Sequence, residues 1–244
     1  MSAIELDEYD FENLTNDKLV YYSKSSDKKA GFGTGEQKVT DADYSNLDKI
    51  KDWRKALSNF YVSPFILDEN TWNTIEHFFH AVKFRNKKLT SKEYDYYKTF
   101  TLDSNSSWCR DPLLAKQAGK AGRISEKTKK IFDKKIGDVK VPKDVKMRDD
   151  FYSKKIPSKL QKLAFMAKFS QNPDLKDILL ATGDAELWHY IGSRNSKPNI
   201  GSDRPVILMT ELMIVRDCIR KYDTKYDLNE ITKFSSNVVS KILN

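Results

Sequence analysis

Cysteine is nearly absent: Cys109 and Cys218 are the only two in 244 residues, and neither sits in a Cys-x-x-Cys or mixed Cys/His spacing. No disulfide framework or structural zinc site is expected from such a pattern. Cys109 follows Trp108, and no neighbouring sequence feature supplies a base to activate it, so a part-buried thiol is the expectation. Long apolar runs are missing too. Nothing approaches the roughly 18 consecutive apolar residues that a membrane span needs, so no membrane partner is expected. The N-terminal stretch up to Asp17 is acidic and lacks the basic-then-apolar order of a signal peptide, which points to a cytoplasmic protein. Glycine is scarce, with nine residues, yet Gly31, Gly33 and Gly35 fall together in one loop. Such a loop can offer backbone N–H groups to a phosphate. It matches neither the Walker pattern nor GxGxxG, so a plain solvent loop is the competing reading.

What is present is an apolar fraction of 39% and an aromatic fraction of 12%, enough for a real core despite a mean hydropathy of -0.66. The net charge is +8 and the isoelectric point about 9.2, which favours anionic partners: phosphates, nucleotides or nucleic acid. A lysine-rich solubilising surface would give the same balance. Lys and Arg dominate the stretch from Lys116 to Lys168.

Periodicity gives a chain that is mostly α with a few short strands. Val20–Ser23 has strand composition, and residues 57–69 read as a turn, a short strand and another turn. A helix begins after Asn73 or Thr74, either of which can cap it, and Ile75, Phe78, Phe79 and Val82 mark its buried face. Further helices are expected at 91–101, 112–122, 125–136, 158–170 and 174–181. A last one is expected over about 205–221, started by Pro205, with polar loops at 137–150 and 192–204. Residues 1–18 read as an acidic flexible tail, 19–222 as the main domain and 223–244 as a C-terminal helical extension.

On the helix after Asn73, Glu76, His80 and Lys83 fall in one narrow stripe away from the centre of the apolar face. One reading is a solvated acid–base row lending a few tenths of a kcal/mol to the helix. The other is a carboxylate and an amine flanking a ligand. Cleavage of an N-glycosidic bond builds positive charge on the ribose ring, which a carboxylate stabilises, or which a lysine meets by attacking the anomeric carbon. Spacing does not choose between these routes.

The run Leu57-Ser58-Asn59-Phe60, Pro64-Phe65, Asp68, Thr71-Trp72, Thr74, Glu76-His77-Phe78-Phe79, Ala81 and Lys83-Phe84 resembles the opening signature of the NADAR (YbiA-like) family. Gly122-Arg123, Met147-Arg148-Asp149-Asp150-Phe151, Met166 to Phe169, Asn172-Pro173 and Leu179 to Gly183 are similar to later family elements. The resemblance spans about residues 20–220, with insertions near 31–52 and 125–147.

It implies a compact α+β, mainly helical fold and a cofactor-free, metal-free N-glycosidase acting on a phosphorylated riboside or ADP-ribosylated guanine. In that family setting Glu76 is the catalytic carboxylate and Lys83 a Schiff-base or positioning amine. Asn59 orients ribose hydroxyls, and Phe60 and Trp72 wall the pocket or stack on the base. Arg123 and Arg148 hold phosphate, since a guanidinium binds two oxygens at once; interhelical ion pairs are their alternative. Phe151 stands where the family usually has Trp, which changes any indole hydrogen bond to substrate. The family's late Asp-x-x-Trp-Gly element is missing, and Arg194 lies roughly where its acid would be. A catalytically inactive ADP-ribose or nucleotide-binding module is therefore the alternative. His189, beside Trp188, reads as an acid or base or as a structural residue.

Overall fold

A computed structural model describes residues 14–22, 27–120, 142, 144–152, 156–190, 206–222 and 228–243. The expected helix at 125–136, the loop at 192–204, Arg123 and Arg194 lie outside the described residues. Described helices and short strands give an α+β, mainly helical chain. It falls into two compact units: residues 1–61 with 172–227, and residues 62–171 with 228–244.

The first unit is built on a small mixed sheet. β1 (Lys18–Tyr21) runs parallel to β4 (Glu186–Tyr190), with Val20 opposite Trp188, and β4 pairs antiparallel with β5 (Val206–Leu208). Leu19, Val20 and Leu187 are fully buried there. Short helices α1 (Ser45–Asp48) and α2 (Trp53–Ala56) add Leu47, Trp53 and Ala56 to the core. Helix α7 (Pro173–Leu180) starts at a proline, and Gly183 (φ 56°) turns the chain just beyond its end. The last helix of this unit, α8 (Thr210–Tyr222), packs on β4 and on α7. It starts later than the sequence implied. Val206–Leu208 is strand because its backbone pairs with residues 188–190, a non-local contact that periodicity cannot register.

Residues 14–18 are not a loose tail. Thr15 donates from its backbone to Asp184 (2.9 Å), and Asp17 is fully buried. Its carboxylate accepts from the amides of Val39 and Thr40 at 2.6 and 2.9 Å, and from the hydroxyls of Thr40 and Tyr44 at 2.6 and 2.8 Å.

The glycine loop holds an anion of its own. Gly31 and Gly33 donate their backbone N–H groups to Glu36 Oε2 at 3.0 and 2.8 Å, and Val20 N donates to Oε1. Arg54 closes the cluster with two bonds to that carboxylate, at 2.7 and 2.6 Å, and two more to the carbonyls of Lys28 and Lys29. The loop is thus a structural nest whose Gly31 and Gly33 N–H groups are taken by a side chain of the protein itself.

The second unit is helical around one hairpin. β2 (Phe65–Leu67) and β3 (Asn70–Trp72) are joined by Asp68 and Glu69, both in left-handed backbone (φ 51° and 59°), the requirement of a two-residue type I′ turn. Helices α3 (Ile75–Ala81), α4 (Lys92–Lys98), α5 (Pro112–Ala118), α6 (Ile156–Gln171) and α9 (Leu228–Leu243) complete it. α9 lies against α6 and β2, and Ser236 and Ser240 hydrogen-bond to Asp68, so this terminal helix is part of the unit's core rather than an appendage. Phe65, Trp72, Phe78, Tyr97, Phe165 and Val239 are among its fully buried side chains.

Candidate active site

Thr74 sets the site's frame. Its extended backbone ends the hairpin, and its hydroxyl accepts from His77 N, capping α3. A cap of this kind is worth about 1 kcal/mol. The same hydroxyl donates to His77 Nδ1 (2.8 Å) while His77 Nε2 donates to the Trp108 carbonyl (2.9 Å), so His77 is a neutral, satisfied core imidazole. Burial pushes its pKa down to about 4, against the weaker upward pull of its bond to Trp108 and of Glu76.

α3 is buried almost all round, because α4, α5, α6 and β3 pack against it. The polar stripe is therefore no solvated row: Glu76, His80 and Lys83 are 7%, 5% and 6% exposed. They form a hydrogen-bonded chain. His80 Nε2 lies 3.1 Å from Glu76 Oε1, and Lys83 Nζ lies 3.0 Å from His80 Nδ1. Lys83 is carried on the 3-10 turn Val82–Phe84 that continues α3, with its amine 5.2 Å from the ring centre of Phe79 and 6.0 Å from that of Phe151. From α5, Lys116 Nζ approaches Glu76 Oε1 at 3.8 Å on the more open side, its own side chain 42% exposed.

Charge follows from this geometry. Burial alone would raise the Glu76 carboxyl, but the His80 hydrogen bond and the cations around it outweigh burial and hold it below the usual carboxylate range. Burial drives His80 downward, more strongly than Glu76 pulls it up. The resting state is thus an ionised Glu76 and a neutral His80. Only one tautomer fits both bonds: Nε2–H donates to the carboxylate, and bare Nδ1 accepts from Lys83.

The other expected site residues separate. Phe151 is fully buried, stands edge-on to Phe79 at 5.8 Å, and walls the Lys83 amine. Trp72 is instead a core residue: it is fully buried, its indole N–H donates to Leu67 O (2.8 Å), and Phe78 and Tyr97 pack on it. It offers no face for stacking on a base. Arg148 binds Asp150 through two bonds, at 2.6 and 3.1 Å, and also donates to Leu243 O. A phosphate would have to displace a carboxylate already in the two-pronged position. Asn59 and Phe60 belong to the first unit, where Asn59 Oδ1 is buried with no hydrogen-bond donor among the described residues. His189 stacks on Tyr21, centres 4.9 Å apart and planes 4° from parallel, and is a packing residue of the sheet. Cys109 is buried beside Trp108, as its sequence context implied.

Two contributors escaped sequence reasoning. Lys116 comes from α5, and nothing in one sequence says which turn of a distant helix faces Glu76. Gly119, at the end of α5, leaves room for the imidazole: a Cβ there would sit 2.1 Å from His80 Nδ1.

Fold and site together define a mixed α+β protein with a buried acid–imidazole–amine chain on one helix. No family model matches the chain, and no curated protein matches it. Among solved structures it is similar to the E. coli protein YbiA, determined by NMR, with 22% identity over 71% of this chain and 82% of that one and a TM-score of 0.45.

Proposed function

We propose that the chain is an N-glycosidase that cuts the bond between a ribose, phosphorylated or part of ADP-ribose, and a nitrogenous base. The observation that carries this reading is the Glu76 carboxylate, buried yet held ionised beside the His80–Lys83 pair. Beside a ribose this carboxylate can stabilise the positive charge that develops on the ring or, once it has taken up a proton, hand that proton to the departing base. The amine of Lys83 supplies either a nucleophile for the anomeric carbon or a positioning contact. The run from Leu57 to Phe84 supports the same reading through its resemblance to the NADAR signature, which implies a catalytic carboxylate at Glu76 and a candidate amine at Lys83.

The test is incubation with a panel of phosphorylated N-ribosides and ADP-ribosyl-guanosine, followed by mass spectrometry for free base. Wild type should release base from at least one substrate. Glu76→Gln keeps the size and one hydrogen-bond acceptor but removes the charge, and should lower turnover by roughly 100-fold or more in a chain that circular dichroism shows to be folded. Full activity in that variant ends the assignment of Glu76. Saturable ADP-ribose binding with no base released by the wild type would make the chain the inactive binding module instead.

A further inference from the structure

We propose that His80 is a positioning residue that passes protons between Lys83 and Glu76, so that the three side chains work as one unit. This rests on the glycosidase reading above and deepens it. Amine, imidazole and carboxylate lie in series, with heavy-atom separations of 3.0 and 3.1 Å, and the imidazole presents a different nitrogen to each end. A ring with two distinct nitrogens can take a proton at one and release another from the other.

The step balances without any further reactant. An ammonium proton leaves Lys83 for His80 Nδ1 while the Nε2 proton moves to Glu76 Oε1. The starting set is ammonium, Nε2–H imidazole and carboxylate; the final set is amine, Nδ1–H imidazole and carboxylic acid. No net charge moves in or out. The freed lone pair of Lys83 then bonds to the anomeric carbon as the bond from that carbon to the base breaks. The breaking pair goes to the base nitrogen, which takes the proton from Glu76. One transfer thus prepares nucleophile and acid together.

The surroundings hold the ring in place. His80 is buried, packs edge-on against Phe79 with centres 5.7 Å apart, and lies against Gly119, where a methyl group would collide with Nδ1. Among the described residues the titratable groups acting on it are Glu76 and Lys83 from its own segment, Lys116 from α5, and His77, whose own pKa it lowers. With burial keeping the imidazole neutral, Nδ1 is bare and ready to accept.

The test uses His80→Gln and Gly119→Ala. Glutamine retains a hydrogen bond but cannot exchange tautomers, and the added methyl, 2.1 to 2.5 Å from His80 Nδ1, Cγ and Cβ, shifts the whole imidazole out of line with Lys83 and Glu76 with all three groups still present. Both should lower kcat by roughly 100-fold at neutral pH with KM little changed. Both should also move the alkaline-rising limb of the kcat profile upward, toward the range where a lysine loses its proton to water. A purely structural role predicts the same loss at every pH, and a wild-type profile in His80→Gln overturns the proposal. NMR of ¹⁵N-labelled histidine needs no substrate. It should show His80 neutral with the proton on Nε2 at pH 7, and an imidazolium or an Nδ1–H form overturns the chain. If wild type releases no base from any riboside, the glycosidase reading fails, and with it the catalytic use of the chain, while the NMR still decides whether the chain exists.

Discussion

The buried Arg54–Glu36 pair is held by partners on both sides. Arg54 and Glu36 are 1% and 0% exposed at their side chains, a position that costs several kcal/mol per ion unless the partners are complete. They are complete: Arg54 meets both carboxylate oxygens and two carbonyls, and its guanidinium lies 4.2 Å from the ring centre of Trp53. A lysine has one point of charge and no flat face, so it cannot replace the fork. Arg54→Lys should therefore destabilise by about 3 kcal/mol, read as a lower urea midpoint with an unchanged slope. A cost under ~0.5 kcal/mol would mean that the network adds little. Composition shows the lysine-rich surface but not this cluster, because Glu36 and Arg54 are 18 residues apart and meet only through the fold. The same limit hid the state of His80. Its spacing from Glu76 and Lys83 was legible, but its burial depends on α5 and Gly119.

At the scale of elements, local chemistry was the most legible. Thr74 caps α3, Asp111 caps α5 and Pro112 opens it, all written in the sequence beside the helices they start. The stretch after Pro205 misled, because a proline at a first-turn position competes with the non-local pairing of β5 to β4. The β2–β3 turn allows a sharper statement. Asp68 and Glu69 both take left-handed backbone, which costs a residue with a Cβ roughly 1 kcal/mol. Glu69 is exposed, so Glu69→Gly should stabilise by about that amount. At Asp68 the sign reverses. Its carboxylate accepts from Arg85 Nε (3.1 Å), Tyr97 OH (2.8 Å) and Ser240 Oγ (3.2 Å), so Asp68→Gly strands a mostly buried cation and should cost about 3 kcal/mol. Thermal melts of the two single variants check the opposite signs. A stabilised Asp68→Gly would show that strain in the turn outweighs the network.

At the scale of the whole molecule, the two units carry different titrating groups, so acid should reach them in order. In the second unit His77 and His80 are held neutral by burial. Between about pH 6.5 and about 4 the unfolded chain binds a proton at His77 that the fold refuses, so stability falls as pH falls through that window, by on the order of 3 kcal/mol. Lys168 acts in the same direction at higher pH. Burial lowers its pKa to about 7, so from there up to about 10 the unfolded chain again holds the extra proton and stability rises with pH. Tyr97 reverses the trend above about 10, because burial raises its phenol and the unfolded chain ionises first. In the first unit the acid-sensitive group is Asp17. Burial would raise it, but its hydrogen bonds to Thr40, Val39 and Tyr44 prevail and lower it, so its contribution is intact above about pH 4 and lost only below. Hydrogen exchange, corrected for intrinsic rates, should therefore show residues 62–120 and 156–171 losing protection by pH 5, while the β1–β4–β5 pairs keep theirs until about pH 4. First loss in the sheet, with residues 62–120 still protected at pH 5, would mean that His77 and His80 are already charged in the fold. The neutral Nε2–H imidazole on which the proton chain depends would then be absent.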